Sequence, residues 1–275
     1  MMTTLLNRTV FKLVFAIVGM LLSLSAMAEA GSPKIGIVIM HGKGGSPAKF
    51  VADLAASLET QGYLVANLEM PWSGKRDYDV SVSAAEREVE AALIALREKG
   101  ANKLFVAGHS QGGLFALHFG NKHAVDGVIA IAPGGNVGSQ LFKEKLADSV
   151  AQARRLIAEG KGEVKTSLSD YENRRGTYPV VSPPAAYLTW FDPEGAMNQM
   201  KAVQNFNPAI PVLFIAPTND YPGLRRVKQE MFDALPKNPH TQLFEPSASH
   251  IEAPSASVDK IVEWTKAVAT AMPVL

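Results

Sequence analysis

Short apolar blocks rich in valine and isoleucine alternate along the chain with longer segments of helical period. Parallel strands buried on both faces appear as continuous apolar runs, and successive parallel strands need a crossover, usually a helix, between them. The alternation therefore predicts a mostly parallel sheet built from βαβ units. The predicted strands cover residues 35–40, 63–68, 104–107, 127–132, 212–216 and 241–244. The predicted helices cover residues 47–61, 84–99, 111–121 and 255–271, with Ser46 and Pro47 at the start of the first helix.

One stretch interrupts this alternation. Residues 134–207 separate two predicted strands, and they are far more than the roughly thirty residues of a minimal βαβ unit. Residues 141–159 have apolar side chains at helical spacing, whereas residues 174–184 are rich in proline and polar residues and are expected to be irregular. The remainder is rich in aromatic residues. This insertion forms either a small cap over the functional site or an extra surface helix with packed aromatic side chains.

The first thirty residues differ in composition from the rest. Arg8 and Lys12 precede an apolar run over residues 13–24, and small residues with A-x-A spacing follow it. This order predicts a secretory signal peptide over residues 1–30. A membrane anchor is the alternative, but the apolar run is shorter than the ~20 residues that span a bilayer. We therefore expect a periplasmic or secreted domain over residues 31–275, without a stable membrane anchor.

The composition argues against several functional classes. Lysine and arginine total 27 and aspartate and glutamate total 26, so no basic excess favours nucleic acid as a partner. The absence of cysteine excludes disulfides, thiolate metal sites and a cysteine nucleophile. No two histidines lie at ligand spacing with a supporting carboxylate on one helix face. We therefore expect neither a metal nor another cofactor.

A motif with chemical meaning, Gly108-His109-Ser110-Gln111-Gly112, stands between a predicted buried strand and a predicted helix. A serine on such a turn projects its hydroxyl above the carboxyl ends of the strands, and glycine avoids clashes with nearby backbone. By residue frequency alone the pattern arises in about one such chain in ten, and a glycine-rich turn would also explain it. Its position between strand and helix favours Ser110 as a nucleophile.

A serine hydroxyl needs a base within hydrogen-bond reach and a third group that orients the base. His250 lies between the last predicted strand and the final helix and is the predicted base. Asp220 follows the preceding strand, and its order between Ser110 and His250 makes it the predicted acid. An aspartate at this point is also a common turn residue, and Asp192 and Glu252 are competing acids.

Two backbone amides are expected to stabilise the oxyanion that forms when an acyl carbonyl is attacked. One belongs to Gln111, which directly follows the proposed nucleophile. The other is expected in the glycine-rich loop after the first strand, at Lys43 or, as second choice, Gly42. A phosphate-binding loop is the alternative, but the Walker spacing is lacking.

Together, these residues resemble the α/β-hydrolase superfamily, and the similarity covers nearly all of residues 31–275. The resemblance implies a compact, doubly wound sheet with an insertion before the penultimate strand. It also implies acyl transfer through a covalent intermediate on Ser110. Because little chain precedes residue 35 after cleavage near Ala30, the first two strands of the full family sheet are expected to be missing.

The superfamily includes esterases, lipases, thioesterases, peptidases and dehalogenases, so the fold does not identify a substrate. A dehalogenase would need a carboxylate in place of Ser110. We expect a serine hydrolase that cleaves carboxylic esters of small-molecule acyl substrates. A peptidase, amidase or thioesterase with the same triad is the alternative, as is a noncatalytic envelope binding module. Trp72 and Trp190 are candidates for the substrate pocket, with packing in the core as the alternative.

Overall fold

The computed structural model describes residues 33–173 and 175–271. Its strands are β1 (Ile35–Met40), β2 (Leu64–Leu68), β3 (Lys103–His109), β4 (Gly127–Ile131), β5 (Thr166–Glu172), β6 (Gly176–Ser182), β7 (Val212–Ile215) and β8 (Gln242–Phe244). Its helices are α1 (Ala52–Thr60), α2 (Val82–Glu98), α3 (Gln111–Lys122), α4 (Gln140–Ala158), α5 (Pro184–Phe191), α6 (Gln199–Gln204), α7 (Pro222–Asp233), α8 (Ala253–Ala256) and α9 (Val258–Ala271). The predicted signal peptide lies outside the described residues. In the part of the chain described, no helix is long and apolar enough to cross a membrane.

Six parallel strands form the central sheet in the order β2-β1-β3-β4-β7-β8. Helices cover both faces, with α2 and α3 packed on one side and α1 and α9 on the other. Every residue of β1 and β3 is buried as a result. This arrangement confirms the predicted six strands and the doubly wound α/β-hydrolase fold.

The register of the sheet brings the carboxyl ends of its central strands to one edge. Gly108 near the end of β3 pairs with Met40 at the end of β1, and His109 pairs with Ile131 at the end of β4. The chain leaves β1 toward β2 on one side and reaches β3 on the other. Such a reversal of strand order opens a crevice at the carboxyl edge, where open α/β sheets bind their ligands.

The insertion between β4 and β7 contains a β-hairpin, so the expected irregular structure over residues 174–184 was wrong. β5 and β6 pair antiparallel, from Thr166 opposite Ser182 to Glu172 opposite Gly176. A two-stranded ribbon has two edges, and a proline is tolerated where its missing amide hydrogen would face outward. Pro179 is therefore compatible with a strand here, although the same residue type in a central strand would have argued against one.

Two helices also differ from expectation. The first helix begins at Ala52 instead of residue 47, and its N-terminal residue Val51 makes no side-chain cap. The segment with Ser46 and Pro47 is a loop, and the Pro47 carbonyl accepts a hydrogen bond from Asn67 Nδ2 at 2.9 Å. Helix α7 was not among the predicted helices; it begins at Pro222, because proline fits the first turn of a helix as readily as a turn.

A buried carboxylate joins α3, the helix that follows Ser110, to α2. Glu86 of α2 is 6% exposed and accepts hydrogen bonds from His118 Nε2 at 2.6 Å and Lys122 Nζ at 2.8 Å. Burial by itself raises the pKa of Glu86, but the hydrogen bonds from His118 and Lys122 outweigh it and lower the pKa to about 2. His123 also faces this carboxylate at 3.8 Å and pairs with Glu90 at 3.1 Å.

Because its folded-state pKa lies below the ordinary value of 4.5, Glu86 stabilises the fold above that pH. The contribution is lost as the pH falls from 4.5 toward 2. We expect Glu86→Gln to lower the free energy of unfolding at pH 7 by about 2 kcal/mol and to flatten its pH dependence within that window. Urea unfolding between pH 3 and pH 7 measures both. Glu90→Gln is the control, and its change should stay below about 0.5 kcal/mol because the Glu90 side chain is 48% exposed. A free energy of unfolding that varies with pH in Glu86→Gln as it does in the wild type would contradict the role given to Glu86.

Candidate active site

Ser110 occupies the turn between β3 and α3 in a strained backbone conformation. Its φ is 54° and its ψ is −116°, which is unusual for a residue with a side chain. Its amide donates to the Ile131 carbonyl at 2.8 Å, and its carbonyl accepts from the Gly134 amide at 3.0 Å. Both β4 and the loop after it therefore stabilise the turn, and the half-buried Ser110 side chain lies at the carboxyl edge of the sheet.

The glycines of the motif are sterically required. A Cβ atom on Gly108 would lie 2.0 Å from the carbonyl oxygen of Gly112, and one on Gly112 would lie 2.4 Å from the carbonyl oxygen of Met40. These are backbone atoms of the end of β1 and of the turn over residues 108–112, which we call the elbow. The close packing of strand, turn and neighbouring strand thus depends on the absence of side chains at both positions.

The loops after β7 and β8 run side by side and bring an acid to a histidine. Asn219 forms a parallel bridge with Ser249, and its amide donates to the Ala248 carbonyl at 3.1 Å. The next residues, Asp220 and His250, are 7% and 6% exposed, and Asp220 Oδ1 lies 2.7 Å from His250 Nδ1. The carboxylate accepts only, so Nδ1 carries the hydrogen, and Nε2 of a neutral imidazole is then an acceptor.

The competing acids lie elsewhere. Asp192 accepts a hydrogen bond from Arg154 Nη2 at 2.9 Å on the surface of the insertion. Glu252 accepts from the Ser249 amide at 2.9 Å and from the Ser249 hydroxyl at 2.5 Å. Glu252 thus caps its own turn, and it is Asp220 that meets the His250 ring.

Two further aromatic side chains, for which no role was predicted, flank His250. Tyr221 stacks on the imidazole with a centroid separation of 4.5 Å, and the His109 ring lies 4.8 Å away. His109 Nε2 donates to the His250 carbonyl at 2.9 Å. Burial, together with repulsion by the imidazolium form of His250, lowers the pKa of His109 to about 3, which keeps His109 neutral. Since His109 directly precedes Ser110, this bond ties the His250 loop to the elbow.

The Ser110 hydroxyl forms no hydrogen bond with any residue of the described ranges, His250 included. Hydrogen bonds between a nucleophile and its base are often long or poorly aligned without substrate and shorten in the complex. The elbow that carries Ser110 and the loop that carries His250 are adjacent here, because the His109 contact links them.

The loop after β1 is held by His41. The His41 ring accepts from the Met70 amide at Nε2, 3.0 Å away, and donates from Nδ1 to the Gly42 carbonyl at 2.7 Å. Burial lowers the pKa of His41, in agreement with a neutral ring that both donates and accepts. The Gly45 amide donates to the Gly42 carbonyl at 3.0 Å and closes a tight turn around Lys43.

This turn packs directly against the elbow. A Cβ atom on Gly42 would lie 3.1 Å from the Ser110 Cβ atom. Among the residues that the structure describes, the amides of Lys43 and Gln111 donate to no protein acceptor. Both amides are therefore free to donate to an oxygen atom bound beside Ser110.

Trp72 and Trp190 pack in the core, which was the alternative to lining a pocket. Each is 1% exposed, and their ring centroids are 5.5 Å apart. Trp72 Nε1 donates to the His41 carbonyl at 2.8 Å, and Trp190 Nε1 donates to the Val80 carbonyl at 2.7 Å. Through this bond to His41, Trp72 stabilises the loop that carries Lys43.

The Lys43 side chain makes a contact that no sequence pattern indicates. Its Nζ lies 2.6 Å from Oδ1 of Asp170, a fully buried carboxylate of the β5–β6 hairpin. The two residues are 127 positions apart, and no motif connects them.

Within residues 33–173 and 175–271 no group of three or more histidine, aspartate or glutamate side chains is arranged to hold a metal ion.

Comparison with known proteins places this geometry among hydrolases. A family model described as serine aminopeptidase, S33, matches residues 31–251. Esterase EstD from Thermotoga maritima is 25% identical over 134 residues, which are 43% of this chain and 31% of that esterase. The match thus spans about a third of the length of that curated relative.

Solved structures share the fold at low sequence identity. The α/β hydrolase GrgF from Penicillium sp. sh18 superposes with a TM-score of 0.65 and 14% identity, covering 88% of this chain and 91% of GrgF. A monoacylglycerol lipase from Paleococcus ferrophilus has a TM-score of 0.56 and 23% identity, covering 86% of this chain and 96% of the lipase.

Proposed function

The chain belongs to the S33 serine aminopeptidase family of α/β hydrolases, and we propose that it cleaves carboxylic esters of small molecules through an acyl-enzyme on Ser110. The observation that carries this proposal is the 2.7 Å contact between Asp220 and the Nδ1 atom of His250, in loops tied to the Ser110 elbow. A buried acid that orients a neutral imidazole beside a strained serine is the arrangement that activates a hydroxyl nucleophile.

In the first step, Ser110 Oγ attacks the acyl carbon and its proton passes to His250 Nε2. Asp220 stabilises the imidazolium that forms without taking its proton. The amides of Lys43 and Gln111 donate to the oxygen on which negative charge develops. The imidazolium then protonates the departing alkoxide, so that the alcohol leaves and the acyl group remains bonded to Ser110.

In the second step, water replaces the alcohol. His250 Nε2 takes a proton from water as the oxygen attacks the acyl-enzyme, and the same amides stabilise the second oxyanion. The imidazolium returns the proton to Ser110 Oγ as the bond to carbon breaks. The products are the free carboxylic acid and the regenerated hydroxyl.

Peptide hydrolysis is the second candidate, because the family is described as a serine aminopeptidase. An aminopeptidase needs a carboxylate that binds the free ammonium group of its substrate. Asp220 is engaged by His250, and Asp170 is engaged by Lys43 and two tyrosine hydroxyls. Neither of these two carboxylates is available to an ammonium group without losing its present contacts, and the match to an esterase supports an ester as substrate.

We also propose that residues 1–30 direct export to the periplasm or the medium and are then removed. The order of basic, apolar and small residues supports this proposal. The amino-terminal sequence of the protein recovered from cells is the direct check, and an unprocessed protein in the cytoplasm would contradict it.

The purified protein should hydrolyse p-nitrophenyl esters, and a fluorophosphonate should label Ser110. Ser110→Ala should lose at least about a thousandfold in kcat and all labelling, because no other nucleophile replaces the hydroxyl. Activity assays and peptide mapping by mass spectrometry measure both. A profile across ester, thioester and peptide substrates then ranks the candidates, and retained activity in Ser110→Ala would refute the assigned nucleophile.

Asp220→Asn should lower kcat by about 10²–10⁴-fold with an intact fold, because an amide no longer holds His250 in the required tautomer. His250→Ala should lose activity to a similar degree. Glu252→Gln is the matched control, since this carboxylate lies two residues from His250 but bonds Ser249 instead. Its kcat should stay within about threefold of wild type, as expected for a group outside the triad. The opposite ranking of Asp220→Asn and Glu252→Gln would reassign the acid.

A further inference from the structure

We propose that Asp170, on the β5–β6 hairpin of the insertion, is a positioning residue for the loop that supplies one oxyanion donor. Its carboxylate fixes the Lys43 side chain and thereby orients the Lys43 amide beside Ser110. The inference rests on the proposed function, since it assumes that this amide stabilises an oxyanion. Asp170 itself touches neither substrate nor reacting atoms.

Asp170 is a fully buried carboxylate with a complete set of donors. Oδ1 accepts from Lys43 Nζ at 2.6 Å and from the Tyr171 amide at 2.6 Å. Oδ2 accepts from the hydroxyls of Tyr78 and Tyr178, both at 2.9 Å. A buried charge is tolerated only when it is paired and hydrogen-bonded, so each donor is fixed by the same carboxylate.

The Lys43 side chain is mostly buried and is confined by its neighbours. Only 12% of it is exposed, and Nζ lies 5.3 Å from the ring centre of Phe142 and 5.9 Å from that of Phe191. Nζ also donates to the Tyr171 carbonyl at 3.2 Å. The ammonium is therefore anchored to the hairpin. Because Lys43 sits in a tight turn, fixing its side chain also restricts the orientation of its backbone.

The same carboxylate reaches the second proposed oxyanion residue through Tyr78. The Tyr78 hydroxyl lies 3.4 Å from Gln111 Oε1 while it donates to Asp170. Burial and the charge of Asp170 raise the pKa of Tyr78, so this hydroxyl keeps its proton. Tyr78 has a strained φ of 58°, and Ser182 of β6 donates to its carbonyl at 2.7 Å.

These contacts give the hairpin a function other than that of a mobile cap. β5 supplies the carboxylate that binds Lys43, and β6 supports the loop that carries Tyr78. An oxyanion donor must lie about 2.7–3.1 Å from the developing charge, and a displacement near 1 Å can cost about a hundredfold in rate. A fixed hairpin is therefore the structural condition for a well-placed Lys43 amide.

The test is Asp170→Asn in the full-length protein, which keeps the shape of the side chain but removes its charge. We expect kcat on p-nitrophenyl esters to fall by about tenfold or more with KM within about twofold, because the loss falls on the transition state. The rate of Ser110 labelling by a fluorophosphonate should fall in parallel.

Asp126→Asn is the matched control. Asp126 pairs with Lys103 at 3.0 Å, the two side chains are 2% and 1% exposed, and Lys103 begins β3 at the opposite edge of the sheet from Ser110. This variant loses an equally buried pair, so it reports the kinetic effect of destabilisation alone. Its kcat should stay within about twofold of wild type. Equal losses of kcat in Asp126→Asn and Asp170→Asn would overturn the inference, as would a wild-type kcat in Asp170→Asn.

Lys43→Met keeps the backbone amide and tests the same link if Asp170→Asn does not fold. It should lower kcat by a similar factor. Where Asp170→Asn does fold, the double variant should be no slower than the slower single variant, because both changes break one contact. Unchanged kcat in Lys43→Met, or additive losses, would refute the link to Lys43. An inactive, unlabelled wild-type protein would instead overturn the proposed function and this inference with it.

Discussion

Ser110 keeps a backbone conformation that costs about 1–3 kcal/mol for a residue with a side chain. Such strain persists only where the surrounding structure prevents the backbone from relaxing. Around Ser110, the inner strands of the sheet prevent it. β3 delivers Ser110 to the carboxyl edge, Gly108 and Gly112 permit the sharp turn, and the Ile131 carbonyl accepts the Ser110 amide. The rest of the site is arranged around this one position.

Two buried aspartates organise what surrounds the serine, each from a different part of the chain. Asp220 follows β7 and orients His250, whereas Asp170 comes from the insertion and binds Lys43. Asp170 accepts four hydrogen bonds, and Asp220 accepts from His250 Nδ1 and from the Tyr221 amide at 2.6 Å. These bonds offset the cost of burying each carboxylate. Asp170 belongs to the insertion. This added segment therefore contributes to the reaction that we propose for the protein.

The alternation of apolar segments with helical segments was enough to predict the six strands of the large sheet. Inner strands such as β1 and β3 are buried on both faces and therefore appear as continuous apolar runs. The elbow and the loops carrying Asp220 and His250 were also predictable, since strand ends define where such residues meet. The β5–β6 hairpin was not, because Pro179 argues against a strand unless its edge position is known. The contact of Asp170 was not predictable for another reason. Its partner Lys43 lies 127 positions away in the sequence, and only packing brings the two side chains together. Trp72 was ambiguous because a large aromatic ring suits a core and a pocket equally.

We propose that Ser110 attacks an acyl group whose oxygen binds the amides of Lys43 and Gln111. A crystal structure of the protein inactivated by a fluorophosphonate tests it directly, because the adduct imitates the tetrahedral intermediate. We expect a bond between phosphorus and Ser110 Oγ, with the phosphoryl oxygen about 2.7–3.1 Å from both amides and His250 Nε2 facing Oγ. A phosphoryl oxygen directed away from both amides would rule out the proposed oxyanion site, and an adduct on another residue would rule out Ser110 as the nucleophile.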